Sequence, residues 1–585
     1  MEAPGKTRED AISRLAQSID AFEKHNEPHS ALMSELATRL ARRMGLVETD
    51  VAAISEAARL HDLGLFAMSP TYHSLPGPLS FEQRMDLWRH SVVGEQQMAK
   101  REAGRHQQLL VRWHHEWWNG TGYPDQLAFE DIPIGARIIR AVELFSALLS
   151  ERPYRAALNL NQAMEVLGDS AGVECDPYVV AALSALLREL PVEGSDEPAV
   201  ENTHATGGYS LNQSGGAMAG LQQPDGPMHG IDHESTDELQ FNPHTQVRSE
   251  TRQPEKRSKS ELLLDALRKP ADPESPTWTR WSASRYNRKT LLGFEASVLR
   301  QIEFNSIAIP YWSGARLDWY LKTWGKQILA NDPSRCAFIA ARASVEAVEE
   351  LSEEQIATVL EDAYVPGSKL NNPELTKWFG EMDACWMDNI RRNVDRLNDD
   401  VVKAQAMLIA MQAGDYARSF DATTREFRRP LTTVFWRLAG RTITVKGHPS
   451  NGTANLPAED FLRQTRADLL YIKLPPEQSW TAGSKSRSQW RESWVTAGAA
   501  APARTKSSWQ SRTAYLATIE RLFRCASHFR FWAIGYQETG MASAHEIAEL
   551  IKQHRPIRAT YSKDVSEVLG GLRSYIIVAD KKTKL

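Results

Sequence analysis

VAAISEAARLHDLG, residues 51–64, decides how the first third of the chain is read. Its apolar residues return every three to four positions, the pattern of a helix with one face in a core. The stretch ends on His61-Asp62, and Gly64 is a natural helix stop. Upstream, SALMSELATRLARRMGL at 30–46 sets Leu32, Leu36 and Leu40 on one stripe. Downstream, FEQRMDLWRHSVVGEQQM, IPIGARIIRAVELFSALLS and NLNQAMEVLGDS keep the same period. Alternating β-branched runs are nearly absent, so residues 1–190 are expected to form an all-α body.

The texture changes after residue 190. EGSDEP, ATGGYS, NQSGGAMAG and QQPDGPMHG, followed by RSETRQPEKRSKS, hold no period of 2 or 3.6 and little apolar surface to offset ordering. Residues 191–259 are therefore expected to be a flexible linker joining two loosely arranged bodies. Beyond it, SIAIPYW, QILAND, DLLYIKL, FRFWAIGY and SYIIVAD are short apolar runs ending in polar turns. Helical stretches such as CAFIAARASVEAVEE and AYLATIERLFRCA separate some of them. Strands alternating with helices predict an α/β domain over residues 260–585, with a largely helical insertion at about 341–440.

Composition sets outer limits. A chain of 585 residues, 42% hydrophobic and 24% charged, suits two to four soluble domains and excludes wholesale disorder. A net charge of -5 excludes a global polycation, though not a local basic face. The four cysteines, Cys175, Cys336, Cys385 and Cys525, form no CxxC, which excludes a disulfide scaffold or thiolate zinc site and favours a reducing compartment. With no apolar leader and no run near 18 apolar residues, a cytoplasmic location without membrane contact is expected.

The chemistry concentrates in the histidines. His29 begins a helix, His61-Asp62 closes another, His90 sits in a third and His114-His115 ends a fourth; Glu143 follows on GARIIRAVELFSALLS. A helical bundle aims side chains from several helices at one interior point. Imidazoles with a bridging carboxylate suit Fe, Mn or Zn, above all where two ions share one Asp. Taken singly, each histidine is as ordinary as any packed or surface imidazole; the adjacent His-Asp and His-His pairs are not.

These motifs resemble the HD-GYP group of HD-superfamily metal-dependent phosphodiesterases, from about His25 to Pro177. The resemblance is carried by HDLGLF at 61–66, His90-Ser91, HHEWWNGTGYPDQL at 114–127 with Gly122-Tyr123-Pro124, the segment 132–157, and DPYVV at 176–180. It implies an HD-type bundle with His29, His61, Asp62, His90, His114 and His115 as ligands of two divalent ions. His61 and Asp62 would be central to catalysis, with Asp62 bridging the ions. Glu143 would stand for the family's last Asp ligand, His25 would lie near a third-ion position, and Arg137 would contact phosphate. Two positions depart: Leu65 replaces the lysine of HDxGK, and Ser146 replaces an Asp.

The second half is similar, more weakly, to the D12 class of adenine-specific DNA methyltransferases, a Rossmann-like fold. RYNRKTLLGF at 285–294, with Asn287 and Lys289, stands for the opening segment, Asn331-Asp332 for the cofactor's ribose site, and DLLYIKLPPEQSW at 468–480 for the catalytic motif. The cofactor turn reads Ile309-Pro310-Tyr311-Trp312-Ser313-Gly314-Ala315, without the acid and glycines that let backbone approach a cofactor. The catalytic acceptor and stacking aromatic are replaced by Leu474-Pro475-Pro476-Glu477. No S-adenosylmethionine binding or methyl transfer is therefore expected.

GSKSRSQWRESW and RTKSSWQSR interleave Lys485, Arg487, Arg491, Arg504, Lys506 and Arg512 with Trp490, Trp494 and Trp509. Basic groups neutralise phosphate and aromatics stack bases, so these nine residues are candidates for nucleic-acid contact; the same pattern also suits a loop anchored by its tryptophans. Three functional readings follow. The first is a metal-dependent phosphodiesterase or nuclease guided to DNA by a pseudo-methyltransferase domain. The second is a non-catalytic scaffold that joins partner proteins in a defence or modification complex. The third is a cyclic-dinucleotide phosphodiesterase or sensor.

Overall fold

The computed structural model describes residues 8–23, 28–70, 79–151, 156–190, 259–268, 291–312, 316–364, 369–474, 487–497, 511–538, 542–565 and 573–581. The expected linker 191–259 apart from Lys259, together with His25 and residues 285–290 of the opening segment, lies outside them.

The first body is all helical: α1 (Arg8–Phe22), α2 (His29–Arg43), α3 (Glu48–Arg59), α4 (Leu63–Met68), α5 (Phe81–Leu87), α6 (His90–Lys100), α7 (Arg105–Trp113), α8 (Ile134–Leu149), α9 (Leu160–Ser170) and α10 (Pro177–Glu189). The stripe read in the sequence is the buried face of α2, with Leu32, Leu36 and Leu40 all at most 1% exposed. Helix α8 lies at the centre, buried nearly all round, as its almost unbroken apolar sequence demands. Two caps explain its surroundings. Pro28 offers no side-chain cap to α2, so the Asp20 carboxylate on α1 accepts from the Ser30 amide and hydroxyl. Asp176 caps α10 ahead of Pro177, accepting from the Tyr178 amide.

Gly64 does not stop a helix. It lies inside α4, where a Cβ would fall 1.8 Å from the His90 carbonyl oxygen, so its role is to let α4 meet α6 backbone to backbone.

After α11 (Lys259–Arg268) and α12 (Leu292–Leu299), a seven-stranded mixed sheet begins with β1 (Ser306–Ile309) and, after α13 (Leu317–Thr323), β2 (Gln327–Asn331). Five helices follow: α14 (Arg335–Val345), α15 (Glu353–Leu360), α16 (Glu381–Asp395), α17 (Asp400–Ala417) and α18 (Leu431–Gly440). Next come β3 (Gly452–Ala454), α19 (Ala458–Gln464), β4 (Leu469–Lys473), α20 (Arg487–Val495), α21 (Arg512–Cys525), β5 (Phe531–Gln537), α22 (Ala544–Lys552), β6 (Ile557–Asp564) and β7 (Arg573–Asp580). The order is β3-β2-β1-β4-β5-β7-β6; neighbours from β3 to β5 are parallel, while β7 is antiparallel to β5 and β6. The five apolar runs of the sequence are β1, β2, β4, β5 and β7; β3 and β6 add strands it did not single out. The helices between β2 and β3 build their own core around Trp386, Met387 and Phe435.

The described residues place the two bodies in contact. Helix α11 packs on α2 and α8, and its Leu263, Leu264 and Leu267 join the core of the first body. The domain expected to start at residue 260 thus gives its first helix to the bundle. Each fully buried leucine contributes roughly 1.5–3 kcal/mol to that docking. Across the remaining contact, Lys563 Nζ lies 2.6 Å from Glu95 Oε1, Arg105 donates to the Asp564 carbonyl, and the Trp118 indole donates to Ser419 Oγ. Asp169 receives both Arg429 and Arg437.

Candidate metal centre

Every helix leaves its last carbonyls without intrahelical donors, and the histidines exploit this. His61 follows α3 and its Nδ1 lies 2.9 Å from the Ala58 carbonyl oxygen. His90 follows α5, with Nδ1 2.8 Å from the Leu87 oxygen, and His114 follows α7, with Nδ1 2.6 Å from the Val111 oxygen. A carbonyl can only accept, so each Nδ1 carries a proton and, in the neutral ring, each Nε2 carries a lone pair. The same three-residue reach at three helix ends turns those lone pairs to one interior point.

There they meet Asp62. Its Oδ2 lies 3.0 Å from His61 Nε2 and its Oδ1 3.4 Å from His90 Nε2. His90 Nε2 and His114 Nε2 are 3.3 Å apart. Ligand atoms of Asp62, His90, His114 and His115 all lie within 4.8 Å of one another. Two ring nitrogens facing each other through lone pairs repel, and a divalent cation among them turns repulsion into ligation. The donor set, imidazoles with one carboxylate, suits Zn, Mn or Fe, so the residues present fit the metal that the sequence implied.

The other expected ligands sit around this group. The ring of His29 is 5.7 Å from that of His61, and both are buried. Glu143 Oε2 is 3.7 Å from His115 Nδ1. Arg140, which the sequence reading passed over, lies between them: NH1 is 3.2 Å from Glu143 Oε2 and 3.5 Å from His115 Nδ1, and NH2 donates to Glu174 at 2.7 Å. Its only sequence signal is the three-residue step to Glu143 on α8.

Arg137, expected on phosphate, is elsewhere. It pairs with Asp176 at 2.6 Å and donates Nε to the Ile132 carbonyl, fastening α8 to the cap of α10. Leu65, in the place of the family lysine, packs with Leu79, Leu87 and Phe22. Ser146 donates to the Glu143 carbonyl within the helix.

Burial governs the protonation of the group. It works against a charged His61, but the Asp62 carboxylate outweighs it and brings His61 up to about 10. Asp62 itself is held well below the usual carboxylate range, because the surrounding imidazoles overcome the cost of burial. Burial and neighbouring imidazoles drive His114 and His115 well below the usual histidine value. Glu143 is pushed up to about 7 by burial, with Arg140 opposing. One carboxylate and several neutral imidazoles make a ligand field ready for a cation.

The Gly-Tyr-Pro loop closes over the site. A Cβ on Gly122 would fall 2.2 Å from the Trp117 amide nitrogen, so only glycine admits this turn. The Tyr123 amide donates to the His115 carbonyl, and the Tyr123 ring stacks on the His115 ring at 4.7 Å.

The residues proposed for nucleic-acid contact are not gathered on an open surface. Trp490 and Trp494 are 0% and 1% exposed; their indoles donate to Asp415 and to the Met387 carbonyl in the core of the helical insertion. A ring without an open face cannot stack a base. Arg491 pairs with Asp415, Arg512 with Glu546, and Arg487 lies over the Phe129 ring of the first body. Lys485, Arg504, Lys506 and Trp509 lie outside the described residues. Asn331 and Asp332 serve the sheet: the Asn331 amide donates to the Pro310 and Leu456 carbonyls, and Asp332 accepts from the Ser334 amide.

Comparison with known proteins adds a family. Residues 12–179 match the HD domain family. The chain is 35% identical over 176 residues to the cyclic di-GMP phosphodiesterase response regulator RpfG of Xanthomonas campestris, covering 30% of this chain and 47% of that one. It is 29% identical to 3'3'-cGAMP-specific phosphodiesterase 3 of Vibrio cholerae, over 32% of this chain and 41% of that protein. A cyclic di-GMP phosphodiesterase of Thermotoga maritima is 28% identical over 33% of this chain and 53% of its own. The chain thus spans about half or less of the length of these relatives. A solved cyclic GMP-AMP specific phosphodiesterase of Vibrio cholerae superposes with a TM-score of 0.25 at 16% identity, over 31% of this chain and 48% of that one, too low to bear on the fold. The N-terminal region is an all-helical HD domain homologous to phosphodiesterases of cyclic dinucleotides. Among the described residues no helix is long and apolar enough to cross a membrane.

Proposed function

We propose that the HD domain is a divalent-metal phosphodiesterase acting on a cyclic dinucleotide. One observation carries the reading: three imidazoles with Nδ1 tied to backbone carbonyls turn their Nε2 atoms toward Asp62 in the interior of the bundle. Bound there, a divalent metal would supply Lewis acidity toward a phosphate oxygen and lower the pKa of a water. Asp62, His90, His114 and His115 would hold it, with His61, His29 and Glu143 completing a two-ion site. Arg140 fixes Glu143 by a hydrogen bond and lies beside His115, and Tyr123 walls one side and excludes water. The activities for which these relatives are named support cyclic di-GMP or cyclic GMP-AMP as substrate. The burial of Trp490 and Trp494 leaves the nuclease reading without two of its proposed base-stacking rings.

A binding role without turnover is favoured by one feature: the family lysine is replaced by Leu65, packed in an apolar cluster that offers no proton. The second domain we read as a non-catalytic, methyltransferase-like body. Its first five strands follow the order of doubly wound nucleotide-binding sheets. At the carboxyl end of β4, just before the expected catalytic motif, Lys473 is paired with Glu295 at 2.6 Å.

Metal-replete protein incubated with cyclic di-GMP and cyclic GMP-AMP, with products followed by chromatography, tests the reading. Linear dinucleotide from wild type and none from Asp62→Ala is expected. Binding without cleavage would move the account to a sensor, and neither binding nor cleavage would overturn it.

A further inference from the structure

The second domain reaches the metal centre along two separate lines, and both end at His115. The first is a column of rings. Tyr123 lies on His115 at 4.7 Å and 29°, Trp88 on Tyr123 at 5.3 Å and 21°, and Trp319 on Trp88 at 5.5 Å and 30°. The Arg316 guanidinium caps the column 4.1 Å from the Trp319 ring. His115, Tyr123 and Trp88 belong to the HD domain; Trp319 and Arg316 belong to α13 and its approach, packed against β2 of the sheet. The second line is ionic. Arg441, at the end of α18, lies 3.1 Å from Glu174; Glu174 accepts from Arg140 at 2.7 Å; and Arg140 meets His115 and Glu143.

The loop between these lines is gripped as well. The Gly293 amide donates to Asp125 Oδ1 at 3.0 Å, and the Arg316 amide donates to Gln126 Oε1 at 2.7 Å. Asp125 and Gln126 directly follow the Tyr123-Pro124 turn. A metal ligand's orientation is set by what packs and hydrogen-bonds behind it, and losing such support costs metal affinity. Here part of that support comes from a different domain.

We propose that Trp319 is a positioning residue of the metal centre: the second domain holds His115 in its ligating orientation through the Trp319–Trp88–Tyr123 column, with Arg441 bracing the opposite edge through Glu174 and Arg140. This rests on the metal reading above. It makes the α/β domain a structural part of the phosphodiesterase site, so that a shift of α13 is felt at the metal.

The test uses the full chain stripped of metal and titrated with Co(II), whose visible absorption reports ligand geometry. Trp319→Ala is expected to weaken Co(II) binding by about tenfold and to alter the absorption band, while Trp319→Phe, which restores a ring to the column, returns both to near wild type. Arg441→Gln, which leaves the column intact, is expected to weaken Co(II) by roughly threefold and keeps the proposal testable should Trp319→Ala not fold. Asp169→Ala also removes interdomain ion pairs, to Arg429 and Arg437, but leaves the ring column untouched, and its Co(II) affinity and spectrum should stay closer to wild type than those of Trp319→Ala. Unchanged affinity and spectrum in both Trp319→Ala and Arg441→Gln would overturn the proposal, as would an equal loss in Asp169→Ala, which would mean that any loosening of the interface suffices. A wild type that takes up no Co(II) would instead overturn the metal reading beneath it, a result visible before any variant is compared.

Discussion

Gly64 shows how much the site depends on a single absent side chain. A Cβ there would stand 1.8 Å from the His90 carbonyl oxygen and 2.5 Å from the Gly94 amide, both backbone atoms that cannot turn away. Gly64→Ala should therefore lever α4 from α6 and carry His90 away from Asp62. A loss of ~3 kcal/mol is expected from overpacking of this kind, together with lost metal; urea unfolding and elemental analysis of the purified variant check both. Wild-type stability and metal content would count against the close-approach reading. The clustering of His61, His90 and His114 was legible in the sequence because each keeps a fixed relation to a helix end. The choice between Arg137 and Arg140 was not legible: both lie on one face of α8, and only the positions of Asp176 and Glu174 decide which faces the histidines. Trp490 and Trp494 misled for a related reason. Basic neighbours suggested a surface, whereas the arginines there answer carboxylates and the indoles are core.

Among elements, the sequence revealed what carries a continuous signal. The stripe of α2, the apolar length of α8 and the runs that became β1, β2, β4, β5 and β7 are all patterned by burial. The strands it missed lack that pattern. β3 has three residues, all half-buried, and β6 alternates along an edge with few apolar side chains. Helix α11 escaped for a different reason: its leucines are plainly amphipathic, but nothing local says which of two bodies they will enter. Only the partner surface on α2 and α8 answers that.

At the scale of the molecule, the domains are joined around a buried carboxylate. Glu95 in α6 meets Arg112 and Arg105 from α7 and Lys563 from β6. Burial alone would raise its pKa, but these cations overcome it and lower the value from 4.5 to about 2. A depressed folded-state value means that ionised Glu95 stabilises the fold fully above about 4.5, and that this contribution fades as pH falls toward 2. A shift of that size corresponds to roughly 3 kcal/mol. Glu95→Gln should thus cost about 3 kcal/mol near pH 7, and wild type and variant should converge between pH 4.5 and 2; denaturant titrations across that range measure the gap. A gap that stays constant with pH would refute the assignment to charge. The same docking sets Trp319 against Trp88 and Arg441 against Glu174, the outer ends of the two lines that lead to His115. The central claim is that Asp62, His90, His114 and His115 hold a divalent cation. Crystals of the full chain grown metal-replete and measured across the Mn, Fe and Zn absorption edges test it most directly. The account predicts anomalous density among those four residues at about 2.0–2.2 Å from their ligand atoms; metal-replete crystals without anomalous density there would contradict it.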